Sequence, residues 1–243
     1  INLHIMTVNW ILILVGFCAG LFSATVGFGG GMILLPVITS IYGIELAIPI
    51  STIAQMLSNL SKVGIGFKEV KWKHVGFFLL TAAPLTALGA LGFGVANKVI
   101  MTRILCIVLI IFAILKITGK LSLPKTQNTM LIGGGLTGFI NGMMGISGPL
   151  SSAVFLTLEL APVAYIASEA AAATAMHVIK IFVYNKLELV NLNIFLNGLY
   201  IGIAMIAGNF IAMNLIGKIK NKGYQKIVAT AMIGLSIWLF FSV

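Results

Sequence analysis

The chain has 243 residues, 60% of them hydrophobic and 8% charged, with a mean hydropathy of +1.13. Soluble domains carry about 25% charged residues, so this chain lacks the polar side chains to cover a core in water, and its solvent is mostly lipid. A net charge of +10 would suggest nucleic acid in a soluble protein. Here the lysines gather in short loops, which is a signature of membrane topology, and nucleic-acid binding is set aside. Nothing in the sequence calls for a metal ion or a cofactor.

Apolar runs punctuated by Gly, Pro and Lys predict an all-α polytopic membrane protein. Its helical segments are 10–26, 32–42, 46–66, 74–94, 99–117, 129–144, 150–160, 162–184, 190–213 and 224–242. The first lacks the basic start and small-x-small site of a signal peptide and is kept as a membrane helix. Most segments approach the roughly 20 residues a bilayer requires. Segments 32–42 and 150–160 are too short, and each follows a stretch that cannot continue a helix: Gly27-Phe28-Gly29-Gly30-Gly31 and Gly145-Ile146-Ser147-Gly148-Pro149. They form either hairpins with their predecessors or separate crossings. Cys18 and Cys106 lie in apolar segments and read as small buried hydrophobes. Pro84 is expected to kink its helix.

Loop lysines set the orientation. Lys68, Lys71 and Lys73, then Lys116, Lys120 and Lys125, then Lys218, Lys220 and Lys222 all fall on one side when crossings are counted alternately. The other side receives Lys98, Lys186 and nearby Arg103. The positive-inside rule makes the first side cytoplasmic and places both termini outside, in a multi-pass plasma-membrane protein.

The two broken regions are similar at an offset of 118 residues, with Gly20–Gly31 over Gly138–Pro149. The same offset pairs Lys62 with Lys180, Asn59 with His177 and Ser51 with Glu169. Each half then has an odd number of crossings, so the halves are expected to be inverted repeats: residues 1–118 and 129–243, joined by a basic cytoplasmic linker at 119–128. Inverted repeats with helices broken near the midplane are an architecture of secondary transporters, whose substrate sits at the repeat interface.

At these residues the chain resembles the sulfite exporter TauE/SafE family, also called the toluene sulfonate uptake permeases. That family carries a G-x-G-G-G break followed by Pro near the start of each half. Here it is Gly27-x-Gly29-Gly30-Gly31 with Pro36, and Gly145-x-Ser147-Gly148-Pro149. Its small-residue signature opening the next helix is similar to Ser51-Thr52 and, less closely, to Ser168-Glu169. The resemblance spans the chain and implies transport, as an exporter, of sulfite or organosulfonates.

The residues suit an anion. Each break ends at a helix N-terminus, where unpaired N–H groups and the positive end of the helix dipole converge. Glycine lets an oxyanion approach the backbone, and Ser147, Ser151 and Ser152 add hydroxyls. The plainer reading is that these glycines serve helix packing. Lys62 and Lys180 lie within helices, where ionisable residues are functional candidates, the alternative being snorkelling to the headgroups. Glu169 and Lys180 fall about 20° apart on one helix, with His177 between them in sequence. Ser51, Gln55, Asn59 and Lys62 form the matching stripe of the first half. The candidate substrate site is therefore Gly27, Gly29, Gly30, Gly31, Ser51, Thr52, Lys62, Gly145, Ser147, Gly148, Ser151, His177 and Lys180. Glu169, the acid placed deepest, is the candidate for proton coupling, with His177 as helper.

Two other functions compete. A passive anion channel would share the same lining but lack saturable, coupled flux. A rhomboid-like intramembrane serine protease would use the G-x-S-G of Gly145-Ile146-Ser147-Gly148 with His177 as base. Against it, the first half repeats the break with Gly29 in place of the serine, so the break is accounted for without catalysis, and a non-enzymatic protein is expected.

Overall fold

A computed structural model describes residues 10–92, 97–118, 124–145, 148–216 and 221–242. Ten α-helices occupy them: α1 Trp10–Val26, α2 Gly30–Tyr42, α3 Ile44–Ile65, α4 Trp72–Leu91, α5 Lys98–Ile117, α6 Gln127–Met144, α7 Gly148–Leu156, α8 Pro162–Lys186, α9 Leu192–Ile216 and α10 Asn221–Ser242. A single 3-10 turn, Phe67–Glu69, links α3 to α4. The ten expected segments are these helices, with ends displaced by a few residues. Among the described residues α4, α8 and α9 are long and apolar enough to cross a membrane. Large apolar side chains such as Leu14, Leu80, Ile132 and Phe182 are more than half exposed around the outside. In a chain this poor in charge they form a lipid-facing surface, so the protein is an all-α, multi-pass membrane protein.

Helices α2 and α7, with 13 and 9 residues, are about 20 Å and 14 Å long, short of the ~30 Å hydrocarbon layer. The expected 150–160 helix is shorter than read from sequence. Thr157, Leu158 and Glu159 donate to the carbonyls of Val154, Phe155 and Leu156 in tight turns, and Glu159 takes a positive φ of 52°. Helix α4 runs on through Pro84. Cys106 is buried as expected, whereas Cys18 is exposed on the outer face of α1, and both are free thiols.

Small residues set the helix pairing. A Cβ on Gly134, Gly138 or Gly142 of α6 would fall 2.2, 2.3 or 2.4 Å from the carbonyl oxygens of Phe78, Ala82 and Thr86 on α4. The contacts advance in step, so α4 and α6 run parallel at a separation that only glycine permits. Thr81 Oγ1 donates to the Leu131 carbonyl across this seam at 2.6 Å. Helices α1 and α9 repeat the arrangement, with Gly16 against Ile201, Gly20 against Met205 and Gly208 against Phe17. Gly16 and Gly20 precede Gly134 and Gly138 by the same 118 residues as the glycine breaks. Buried Asn209 of α9 donates to Ser58 and Ser61 of α3, an interhelical polar contact of the kind that replaces hydrophobic driving force in lipid.

The helix partnerships have counterparts between the halves. The pairs α1–α9, α3–α9, α1–α2, α2–α3 and α2–α10 correspond to α6–α4, α8–α4, α6–α7, α7–α8 and α7–α5, while α3–α8 and α5–α10 map onto themselves. Both seams cross between the halves, so neither half forms a separate core. They interlock around α3 and α8, which carry Lys62, Glu169, His177 and Lys180.

Candidate functional site

The first break begins where α1 stops. Gly27 and Gly29 hold φ values of +91° and +96°, a region that side chains disfavour. The first helical bond of α2 runs from Ile33 N–H to the Gly29 carbonyl. The N–H groups of Gly30, Gly31 and Met32 thus have no carbonyl one turn back. In the second break Gly145 closes α6 with φ +73° and an N–H bond to the Asn141 carbonyl, and α7 restarts at Gly148.

The two breaks touch. A Cβ placed on Gly148 would lie 3.5 Å from Phe28 Cβ and 3.7 Å from the Gly29 nitrogen. At this junction is a cavity of about 20 Å³ lined by Ser23, Gly27, Phe28, Gly29 and Gly30 of the first break, Gln55, Ser58, Asn59 and Lys62 of α3, and Gly148 of the second. Glu169, Ala173 and His177 of α8 and Met205 of α9 close it. This volume admits about one water molecule.

Four ionisable side chains are buried in or beside it. Lys62, Glu169 and His177 are 2%, 1% and 2% exposed, and Lys180 is 0% exposed. Glu169 Oε1 lies 2.5 Å from Ser151 Oγ, a bond joining α8 to α7. The ammonium of Lys180 donates to Asn141 Oδ1 at 3.2 Å and stands over the Tyr184 ring. Among the described residues the Lys62 ammonium has no hydrogen-bond or ion-pair partner, although it faces the cavity that Glu169 also lines. His177 Nδ1 is buried and has no hydrogen-bond partner among the described residues.

Compared with known protein families, residues 12–239 match the sulfite exporter TauE/SafE family. The chain belongs to that family. Curated proteins and solved structures give no match. Membership in TauE/SafE means a membrane transporter of sulfite or related sulfur anions, which agrees with the multi-pass helical fold. The family-like breaks are the segments that meet at the cavity.

Of the residues expected at the site, the structure brings Gly27, Gly29, Gly30, Lys62, Gly148, Glu169 and His177 to one wall-to-wall cluster. Ser151 joins it through Glu169. Gly31 packs against Gln55 instead, its missing Cβ making room for that amide. The Gln55 amide donates to Ser51 Oγ, and Thr52 Oγ1 bonds back to the Ile48 carbonyl, so both hydroxyls serve α3. Gly145 abuts Ile48, and Lys180 sits with Asn141, outside this cavity. Ser147 lies outside the described residues.

Sequence reasoning missed Ser23, Phe28, Ser58, Ala173 and Met205. Ser23 had a signal: the 118-residue offset pairs it with Asn141, so each half places a polar residue near the end of its first helix, α1 or α6. Met205 had none, because it arrives through the α1–α9 seam.

Proposed function

We propose that this protein is a secondary transporter that exports small sulfur oxyanions, sulfite or organosulfonates, across the plasma membrane by alternating access. The observation that carries this reading is the contact between the two glycine breaks beside a lysine ammonium that has no partner among the described residues. Backbone N–H groups at the start of α2, and Gly148 at the start of α7, converge with the Lys62 charge on one point. An oxyanion takes hydrogen bonds there without a side chain in the way. Substrate-binding roles fall to Gly27, Gly29, Gly30, Lys62, Gly148 and His177, with Ser51, Thr52, Gly31, Gly145, Ser147, Ser151 and Lys180 as support.

A cavity of about 20 Å³ is too small for a sulfur with three oxygens, since it holds about one water. The conformation is a closed one, and admission of the anion requires the short helices to separate. The matching helix pairs support two inverted repeats, residues 1–118 and 129–243, moving about α3 and α8. In this reading the linker expected at 119–128 is cytoplasmic and both termini face outward; residues 119–123 and the chain ends lie outside the described residues, and Gln127 and Asn128 already belong to α6. Glu169 binds and releases a proton as the site alternates, which couples anion movement to the proton gradient.

Proteoliposome flux with labelled sulfite, taurine-like sulfonates and simple carboxylates tests the reading. Saturable sulfite or sulfonate flux with counterflow is expected. Non-saturable flux would favour a passive channel, and flux of carboxylates alone would overturn the substrate class. Covalent labelling of Ser147 by a fluorophosphonate would restore the protease reading.

A further inference from the structure

Away from the central cavity, two depressions meet at the end of the molecule where α4 and α6 begin. One, of about 460 Å³, is lined by Lys73, His74 and Phe77 of α4 with Lys125, Thr126, Gln127 and Asn128 at the start of α6. The other, of about 560 Å³, is lined by Thr126, Asn128, Thr129, Ile132, Gly133 and Leu136 along α6, and by Leu150, Ala153 and Val154 of α7, with Pro124 at its mouth. They share Thr126 and Asn128, so the two adjoin at the start of α6.

Their chemistry is complementary. The first is basic and hydrogen-bonding. Lys73 has no ion-pair partner among the described residues, while Lys125 is held by Glu159 at 2.6 Å on the rim. The second is almost wholly apolar. Thr129, Ile132, Gly133 and Leu136 form one stripe of α6, and Leu150, Ala153 and Val154 form one stripe of α7, so the furrow runs between the two helices. Its floor is close-packed because Gly133 has no Cβ, which would otherwise fall 2.5 Å from Val154 Cγ2. From Asn128 to Leu136 the furrow extends about 12 Å down the helix. Ile132 and Leu136, 67% and 58% exposed, put its open side against lipid.

We propose that this composite depression binds one anionic glycerophospholipid of the cytoplasmic leaflet. Its phosphate lies among Lys73, His74 and the Gln127 and Asn128 amides, and one acyl chain lies in the α6–α7 furrow. A soluble anion would use the basic end but leave the furrow empty, and a zwitterionic lipid would use the furrow without needing Lys73. Because α7 follows the second glycine break and its Leu150, Ala153 and Val154 wall the furrow, a lipid chain there braces the element that must move in transport.

The test is native mass spectrometry of the detergent-purified full chain with dioleoyl phosphatidylglycerol or dioleoyl phosphatidylcholine. A parallel melting measurement uses each lipid or sn-glycerol 3-phosphate. Retention of one phosphatidylglycerol in preference to phosphatidylcholine is expected. Lys73→Gln and Lys125→Gln should each lower that preference about fivefold, as loss of one surface lysine near an anionic lipid implies. Lys68→Gln, exposed on the same end but outside the depression, should leave it unchanged. These are surface changes, and melting without lipid confirms each variant is folded. Equal retention of the two lipids, an unchanged preference in both depression variants, or equal stabilisation by glycerol phosphate would each overturn the proposal. None of these readouts depends on transport.

Discussion

Lys62 and Glu169, one from each half of the chain, line the same buried cavity, and each stands in the other's field. Sequence alone put Glu169 and Lys180 on one stripe of the same helix but about 16 Å apart, too far to ion-pair, with no sign of which charge Glu169 faces. The structure resolves the equivalence of the two lysines. Lys180 donates to Asn141 outside the cavity, whereas Lys62 lines the junction of the breaks.

The two lysines should therefore separate on mutation. Lys62→Met is expected to weaken anion affinity by about 1–3 kcal/mol, the worth of a charged hydrogen bond in a low-dielectric site. Lys180→Met should act mainly on stability, by leaving the Asn141 amide without its partner. Saturation curves for labelled sulfite in proteoliposomes, beside melting curves for each variant, make the comparison. Equal affinity in wild type and Lys62→Met would remove Lys62 from the substrate site.

Coupling can be isolated at Glu169. Glu169→Gln keeps an oxygen to accept from Ser151 and so preserves the α7–α8 link, but it cannot lose a proton. The expected variant exchanges anion for anion yet no longer accumulates substrate under an imposed pH gradient. The first half offers Ser51 at the equivalent position, so coupling is asymmetric on a symmetric scaffold. Accumulation at the wild-type rate would make Glu169 structural.

Much of this was legible before any coordinates, for identifiable reasons. Glycine runs, prolines and lysines punctuate lipid-soluble helices so sharply that all ten segments could be placed. The 118-residue offset also matched the two breaks, Gly30 with Gly148, and in the fold these breaks meet, Gly148 beside Phe28 and Gly29. What sequence could not supply was the partner across the interface. The seams of Gly134, Gly138 and Gly142 with Phe78, Ala82 and Thr86 are ordinary G-x-x-x-G spacing on one side and unremarked residues on the other. The same limit hid the assignment of Ser51 and Thr52 to hydrogen bonds within α3, because any hydroxyl on a helix can bond a turn back or point into a cavity.

Substitutions at the breaks should divide by geometry. Gly148→Ala places a methyl at 3.5 Å from Phe28, an ordinary contact, and aims it at the Gly29 nitrogen. Its fold should survive, with stability within about 0.5 kcal/mol of wild type, while transport falls because the methyl fills the cavity. Gly27→Ala instead forces a methyl to 2.4 Å from the Tyr165 ring at a φ of +91°, and should fail to fold. Full transport by a folded Gly148→Ala protein would show that the anion does not approach this backbone.

The α4–α6 seam gives a prediction about stability that is independent of substrate. An alanine at Gly138 would put its methyl 2.3 Å from the carbonyl oxygen and 2.7 Å from the Cα of Ala82. Neither atom belongs to a side chain that could rotate away, so the two helices must move apart. That separation also loosens the contacts of Gly134 and Gly142 on either side. The expected cost is about 1–3 kcal/mol, the range for overpacking a close-packed interior. Gly76→Ala on α4 is the control, since a Cβ there meets nothing within 4 Å. Alanine at such a site should be neutral or stabilise by about 0.4–1 kcal/mol, through the reduced freedom of the unfolded chain. Unfolding of both variants in the same detergent, followed by far-ultraviolet circular dichroism, reads the difference directly. A Gly138→Ala midpoint equal to that of Gly76→Ala would mean that the backbones do not meet at this position. The parallel pairing of α4 with α6, on which the α6–α7 furrow and the second glycine break both rest, would then have to be redrawn.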